Sequence, residues 1–166
     1  MQEIILVKYG EMALKGMNKK TFEDILVKNI KRRIKSLGKT EITRAQSTIY
    51  IAPLDEFFDA DEAIERLKKV FGIAALCRAA VCEKDFEDIK SKSIEYLDEV
   101  LSYAKTFKVT AKRADKSFPM KSPEICRELG GVLLEKFSHL TVNVNDPEIT
   151  VTIESVIQKH TFMLRI

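Results

Sequence analysis

The chain has 166 residues, of which 45% are hydrophobic and 32% charged, and its formal net charge at pH 7 is +3. This length predicts one ordinary domain or two small ones, and the apolar content suffices for a packed core. The sequence contains no apolar run approaching the roughly 20 residues of a membrane-spanning helix. It also has no secretory signal pattern, so we expect a cytoplasmic protein without a membrane partner.

The first 82 residues predict the element order β-α-β-β-α-β. Short apolar runs with the character of strands lie at 3–7, 41–45, 48–51 and 73–81. Helices are expected over 21–37 and 59–70. The first helix has its apolar residues on one side at a period of 3.6 residues: Phe22, Ile25, Leu26, Ile30, Ile34 and Leu37. This order is the ferredoxin-like arrangement.

The second half predicts a separate α/β unit. Helices are expected over 85–104 and 122–137, the second with Ser122 as its N-cap and Pro123 in its first turn. Strands are expected at 107–113, 148–157 and 161–166. The whole chain is therefore expected to be an α+β protein with two domains, at 1–82 and 83–166.

Positive charge is concentrated in two segments. Between Lys8 and Arg44 the chain has eleven basic and four acidic residues, and between Lys105 and Lys121 it has six basic residues and one acidic residue. Charge this uneven produces a local positive potential that favours a polyanion such as RNA. On the first helix, the side opposite the apolar residues is uniformly basic, with Lys28, Lys31, Arg32 and Lys35. Arg33 falls at an angle that directs it towards the apolar side, and because it lies in the last turn we expect it to extend past the edge of the core or to reach a neighbouring domain.

The sharpest local feature is the loop before the last helix. Lys112, Arg113 and Lys116 lie close in sequence to the helix start at Ser122, where free N–H groups favour an anion. Phe118 lies among them, and unpaired RNA bases stack on aromatic rings. The alternative is a solvated basic turn with Phe118 in the core, and residue chemistry alone does not choose between the two.

Two glycines in the middle of the same helix need an explanation. Each of Gly130 and Gly131 costs roughly 1 kcal/mol relative to alanine in a helix interior. Close approach of another backbone would justify them, and a packed helix is favoured over a nucleic-acid strand.

The sequence shows no motif for catalysis or for metal binding. The nucleotide-binding glycine patterns, the metalloprotease motif and the nucleophile elbow are all missing. His139 and His160 lie far apart without an acidic cluster, and Cys77, Cys82 and Cys126 lack C-x-x-C spacing, which predicts reduced, mostly buried thiols. We therefore expect no catalytic residue, no metal and no cofactor in this chain.

Two stretches resemble a known family. Residues 9–16 (Tyr-Gly-Glu-Met-Ala-Leu-Lys-Gly), followed by Met17-Asn18-Lys19 and a basic helix, resemble the start of bacterial tRNA 4-thiouridine synthetase, also called tRNA sulfurtransferase, a family linked to thiamine biosynthesis. Residues 107–119, 122–125 and 129–131 resemble the THUMP domain of that family. The positions that match the family motifs are Lys15, Asn18, Lys112, Arg113, Lys116 and Phe118. The basic side of the first helix is a candidate RNA contact on charge geometry alone.

The resemblance implies a tRNA-binding function. It implies an N-terminal ferredoxin-like domain and a THUMP domain that recognise the tRNA acceptor stem and hold its 3′ end. A PP-loop ATP pyrophosphatase domain with a Ser-Gly-Gly-x-Asp-Ser tract then thiolates a uridine, and that tract does not occur in this chain. ATP and Mg²⁺ are therefore expected only in that further domain. The full-length enzyme is expected to use a sulfur-donor protein, and a homodimer is possible.

Two alternatives remain open at this point. The chain could be the RNA-binding portion of another THUMP-containing tRNA-modifying enzyme, although residues 9–16 argue against this. It could also be a dimerisation or small-molecule regulatory module that binds no RNA, although such a module needs no basic surface.

Overall fold

The computed structural model describes residues 1–10, 18–156 and 161–166. Over these residues it contains eight β-strands and four α-helices. The chain divides into two compact units. We call Glu3–Arg78 the N-terminal unit, and Ala79–Ile166 together with Met1–Gln2 the C-terminal unit. Strand β4 (Ile73–Glu83) runs from the first into the second.

The N-terminal unit has the predicted ferredoxin-like order. Its elements are β1 (Glu3–Tyr9), α1 (Lys19–Ile34), β2 (Thr40–Ala45), β3 (Thr48–Pro53), α2 (Ala60–Leu67) and the first part of β4. The strands are arranged β2-β3-β1-β4. β3 is antiparallel to both neighbours, with Ile51 opposite Ile5 on one side and Ile42 on the other. The predicted fold class of this half is confirmed.

Two residues make the tight connection between β2 and β3. Gln46 and Ser47 both adopt positive φ angles, of 49° and 64°. This is the backbone of a two-residue type I′ turn, whose twist matches that of the paired strands. The turn fixes the β2–β3 register without needing a glycine.

Helix α1 buries a narrow stripe of side chains. Phe22, Leu26, Ile30 and Ile34 are buried at a spacing of four residues. Ile25, expected among them, is 45% exposed. Arg33, whose helical angle is directed towards the apolar side, is exposed, and its carbonyl accepts a hydrogen bond from Arg66 Nη1 at 3.3 Å. The expectation for Ile25 was wrong, because the fully buried side chains of α1 recur only every four residues, whereas the exposure of Arg33 agrees with a side chain that extends past the edge of the core.

The C-terminal unit packs two long helices with a mixed sheet. The elements are α3 (Phe86–Tyr103), β5 (Thr106–Lys112), α4 (Ser122–Lys136), β6 (Thr141–Val142), β7 (Ile149–Val156) and β8 (Thr161–Arg165), in addition to the end of β4. Its strands are arranged β4-β8-β7-β5-β6. β5 is parallel to both β7 and β6, whereas β8 is antiparallel to its neighbours. The sequence did not predict β6, because an exposed strand of two residues is too short to show an alternating pattern.

A single apolar cluster forms the core of the C-terminal unit. Phe107 of β5, Leu97 of α3 and Leu129 of α4 are all completely buried in it. Helix α3 begins after Asp85, whose side chain caps the helix by accepting the Asp88 N–H. Helix α4 begins one residue earlier than expected. Ser122 is its first residue and not its N-cap, a position held by Lys121.

Candidate nucleic-acid interface

The loop between β5 and α4 presents three exposed lysines. β5 ends at Lys112, and α4 begins at Ser122. Lys112, Lys116 and Lys121 are all exposed. Positive side chains on one short loop are suited to phosphate oxygens, which supply the sequence-independent part of RNA affinity. We call residues 112–121 the basic loop.

Arg113, predicted to contact RNA, hydrogen-bonds to its own loop. Its Nη1 donates to the carbonyl oxygen of Phe118 at 3.0 Å and to that of Met120 at 2.6 Å. A guanidinium has five N–H donors in a fixed plane, so one group can satisfy two loop carbonyls together. These contacts assign Arg113 a structural role in the loop, and its contact with RNA stays a prediction.

Phe118 lies in the core. Its side chain is only 4% exposed, and it belongs to the same buried cluster as Phe107 and Ile125. An aromatic ring must be accessible to stack on an RNA base. The prediction that Phe118 stacks on RNA is therefore wrong, and the alternative of a buried ring is the correct one. The ring anchors the basic loop to the core.

Strand β7 supports the start of the loop. The backbone N–H groups of Ala114 and Asp115 both donate to Ser155 Oγ, at 2.8 and 3.1 Å. Ser155 is buried, with 6% exposure. Because the hydroxyl satisfies two backbone donors where β5 ends, the chain can leave the sheet here without leaving those groups unpaired.

An open groove lies beside β5 and α4. Its volume is about 490 Å³. The residues that line it are Phe107, Lys108, Val109, Thr110, Cys126, Arg127, Gly130, Gly131, Leu134, Val142 and Val144. The lining is largely apolar, with the cationic side chains of Lys108 and Arg127 among it. A surface of this composition suits an unpaired nucleotide, whose bases are apolar on their faces and whose phosphates are anionic.

The edge of β5 provides backbone groups to this groove. The N–H of Thr141 bonds to the Lys105 carbonyl and that of Asn143 to the Phe107 carbonyl, so odd-numbered residues of β5 face this edge. The register with β6 extends only over Thr106 and Phe107 in the described residues. Val109, which also lines the groove, directs its N–H and C=O to the same edge. Backbone groups at such an edge can hydrogen-bond a ligand.

The mid-helix glycines lie along this groove. A Cβ added to Gly130 would meet Val109 Cγ2 at 4.0 Å, an ordinary contact. One added to Gly131 would have no heavy atom within 4 Å among the described residues outside its immediate helix backbone. The prediction that a closely packed helix requires these glycines is wrong, because among the residues that the structure describes no neighbouring helix approaches either of them closely. They leave the α4 side of the groove open.

Cys126 lies at the same edge. Its thiol is half-buried, and burial raises its pKa, against a smaller opposing effect of a hydrogen bond with the Ala111 backbone. Raising the pKa keeps the group in its neutral thiol form at neutral pH. It therefore contributes apolar surface to the groove and no charge.

Helix α1 presents the predicted basic surface on the N-terminal unit. Lys28, Lys31 and Arg32 of α1, and Lys35 directly after its last residue, are all exposed. Their side of the helix is opposite the buried stripe, as the periodicity predicts. Elsewhere on this unit, Arg44 is paired with Asp24 at 2.7 Å. These three residues of α1 and Lys35 remain candidates for phosphate contact.

Asn18 caps α1. Its side-chain oxygen accepts the backbone N–H of Thr21 at 2.8 Å, which is the standard bond of an N-cap asparagine. This gives the asparagine of the N-terminal motif a structural function, and its contact with RNA stays a prediction. Lys15, the other candidate from that motif, lies outside the described residues.

Comparison with known families identifies both units. Residues 4–77 match the ThiI ferredoxin-like domain, and residues 83–164 match the THUMP domain. The chain is a ThiI ferredoxin-like domain followed by a THUMP domain. The family predicted from residues 9–16 and 107–131 is confirmed.

Curated relatives of this ThiI–THUMP chain are probable tRNA sulfurtransferases. That of Acetivibrio thermocellus is 47% identical and that of Alkaliphilus metalliredigens 43% identical, each over 156 residues. Each alignment covers 93% of this chain but only 40% and 39% of the respective relative. The ThiI–THUMP chain therefore spans about 40% of the length of these relatives.

Solved structures share the architecture. A crystal structure of a 4-thiouridine synthetase–RNA complex with bound ATP matches 99% of the ThiI–THUMP chain and 41% of its own, with 32% identity and a TM-score of 0.82. A protein from Pyrococcus horikoshii matches 99% of this chain and 54% of its own, with a TM-score of 0.81. At 24% identity, this second likeness shows the fold alone.

No helix among the described residues has the length and apolar character needed to cross a bilayer. The described residues also contain no cluster of three or more His, Cys, Asp or Glu side chains arranged to hold a metal ion.

Proposed function

We propose that this chain is the tRNA-binding portion of an ATP-dependent tRNA uracil 4-sulfurtransferase. In this function it holds the acceptor stem and 3′ end of a tRNA while a PP-loop catalytic domain thiolates the uridine. ATP and Mg²⁺ belong to the catalytic domain, and the sulfur-donor protein and any homodimer belong to the full-length enzyme. The observation that carries the proposal is the basic loop next to an open groove in the THUMP unit.

The two parts of that surface suit two parts of one ligand. Double-helical RNA hides the base edges in its deep major groove and is bound mainly through phosphates and shape. Lys112, Lys116 and Lys121 of the basic loop supply the charge for such contacts. The groove, with its apolar lining and the backbone groups that Val109 directs to the edge of β5, suits unpaired nucleotides at a 3′ end.

A salt titration tests the phosphate contacts. Fluorescence anisotropy would measure the affinity of this chain for a labelled acceptor-stem hairpin between about 50 and 200 mM salt. The K112A/K116A variant is expected to bind at least tenfold more weakly at low salt. Its log–log slope should fall by about 1.5, because each lost phosphate contact removes roughly 0.7–0.9. Unchanged affinity in this variant, or wild-type binding that is independent of salt, would refute the proposal.

A matched variant controls for loss of charge alone. Lys68 and Lys69 are both exposed, at the end of the acidic helix α2. K68A/K69A also removes two positive charges, and it should leave the slope of log affinity against log salt concentration unchanged. Equal effects of the two double variants would mean that net charge, and not the basic loop, determines affinity.

A comparison of two hairpins, one with a single-stranded 3′ overhang and one with a blunt end, tests the groove. Replacing Gly131 with leucine places a side chain beside the groove where a Cβ meets no neighbour. G131L should weaken the binding of a hairpin with a single-stranded 3′ overhang and leave that of a blunt hairpin unchanged. If both ligands are affected equally, the groove does not hold the 3′ end.

The same titrations test the alternatives. The ThiI ferredoxin-like domain disfavours the RNA-binding portion of a different THUMP enzyme. A regulatory module without RNA affinity would show weak binding that does not distinguish the variants.

A further inference from the structure

Lys84, which is far from the basic loop in sequence, forms hydrogen bonds with the residues on both sides of Lys116. Lys84 follows β4 directly, 31 residues before Asp115. Its Nζ donates to Asp115 Oδ2 at 2.5 Å and also to the hydroxyl of Ser117. Lys116 is the residue between these two partners, and it is exposed.

The backbone between the partners forms a tight turn closed by the same carboxylate. Asp115 Oδ1 accepts the Ser117 N–H at 2.8 Å and the Ser117 hydroxyl at 2.7 Å. This side-chain-to-backbone pattern is that of an Asx turn. On its other side the turn is held by Ser155, which accepts the N–H groups of Ala114 and Asp115. Lys116 therefore projects from a turn whose two flanking residues are both held by side chains outside it.

We propose that Lys84 is a positioning residue for RNA binding, which fixes through Asp115 and Ser117 the turn that presents Lys116 to a phosphate. This inference rests on the proposed function. Lys84 itself is poorly placed to contact RNA, because its side chain is only 24% exposed and its amine is already bonded to two partners. Ordering a loop before the ligand arrives removes an entropic cost from binding.

The presence of Asp115 supports a geometric role over an electrostatic one. It is the only acidic residue between Lys105 and Lys121. A carboxylate here lowers the positive potential that attracts a phosphate. The hydrogen bonds from Lys84 and Ser117 hold the pKa of Asp115 well below its usual range, so the group stays ionised at neutral pH. Its charge opposes RNA binding, and its hydrogen bonds order the turn.

The direction in which D115N changes hairpin affinity distinguishes a carboxylate that orders the turn from one that only lowers the positive potential. D115N replaces one carboxylate oxygen with an NH2 group that cannot accept a hydrogen bond, so the contact with Lys84 on Oδ2 or the contacts with Ser117 on Oδ1 are lost. If Asp115 orders the turn, D115N weakens the binding of the hairpin, by about fivefold for a coupling of the size usual within one network. If only its charge matters, D115N tightens binding, and the proposal is overturned.

A double-mutant cycle tests whether Lys84 acts through Lys116. K84M keeps the aliphatic stem and removes the charge. K84M and K116A should each weaken hairpin binding by about fivefold, and K84M/K116A should be no weaker than K116A alone. Additive losses would show that Lys84 contacts the RNA itself, and an unchanged K84M affinity would show that the turn needs no such support. K84R should restore part of the affinity, because it preserves the ion pair.

A matched lysine provides the control. Lys92 of α3 pairs with Asp88 at 2.9 Å, and its side chain is 27% exposed, close to the value for Lys84. K92M should not change hairpin affinity and should not couple to K116A. Thermal unfolding of each variant confirms that it is folded under the binding conditions.

One readout does not depend on RNA. Hydrogen exchange should show faster exchange of the Ser117 amide in K84M than in the wild type, because the turn opens more often. If the wild type binds no RNA, the proposed function fails while this exchange still tests the turn. If the wild type binds and K116A weakens binding but K84M changes neither affinity nor exchange, the positioning inference fails alone.

Discussion

Replacing Phe118 with alanine distinguishes a core residue from an RNA-stacking residue. The ring is 4% exposed and lies in the main cluster of the C-terminal unit, so truncation removes nearly all of its contacts. A Phe→Ala change in a core costs about 3–5 kcal/mol, from lost transfer free energy and from the cavity that remains. For a urea m-value of about 2 kcal/mol/M, the unfolding midpoint of this unit should fall by about 2 M.

The assay is urea unfolding followed by circular dichroism, with a matched control. Phe57 is 92% exposed, so F57A should change stability by less than about 0.5 kcal/mol. F118L fills much of the same volume and should cost less than F118A. Both results together attribute the loss to burial and not to the removal of an aromatic ring as such.

RNA binding provides the opposing test. Under conditions where F118A remains folded, any loss of its affinity for the hairpin should come from disorder in the basic loop, because no stacking contact is removed. A variant that unfolds like the wild type but binds RNA much more weakly would refute our reasoning. That result would mean that the ring stacks on a base and is not part of the core.

Three further changes test the local structure. N18A should destabilise the N-terminal unit by about 1 kcal/mol in urea unfolding, because it removes the N-cap bond of α1, whereas N18D should lose much less. G131A should stabilise α4 by about 0.5–1 kcal/mol, because an alanine there meets no neighbour and favours the helix, whereas G38A should destabilise. Gly38 has a φ of 136°, and a Cβ there would lie 2.6 Å from a carboxylate oxygen. The pKa of Tyr9 is raised to about 12, first by burial and then by its hydrogen bond to a glutamate. The folded state therefore keeps this proton between about pH 10 and 12 while the unfolded state loses it, so stability should fall as pH rises through this range. Y9F should lose less stability there than the wild type, and parallel losses in the two proteins would contradict the assignment.

Local patterns in the sequence determined the family and the order of the elements, with the exception of β6. Helix and strand periods are properties of the backbone, so they can be recognised in a short stretch of sequence. This holds for the four-residue spacing of the buried side chains of α1 and for the alternation within β5. The motif at 107–119 identified THUMP for the same reason, since its residues are neighbours in the chain. The exposure of Lys28 and Lys116 also followed from these patterns.

Only the tertiary structure decided which of those residues remain available to a ligand. The sequence made both Phe118 and Arg113 of the basic loop candidates for contact with RNA. One is in the core, and the other bonds to carbonyl groups of its own loop. The bond from Lys84 to Asp115 joins positions 31 residues apart, and the groove is lined by residues of β5, β6 and α4 that are far apart in sequence. Contacts of this kind depend on how separate elements pack against each other, so a local sequence pattern does not predict them.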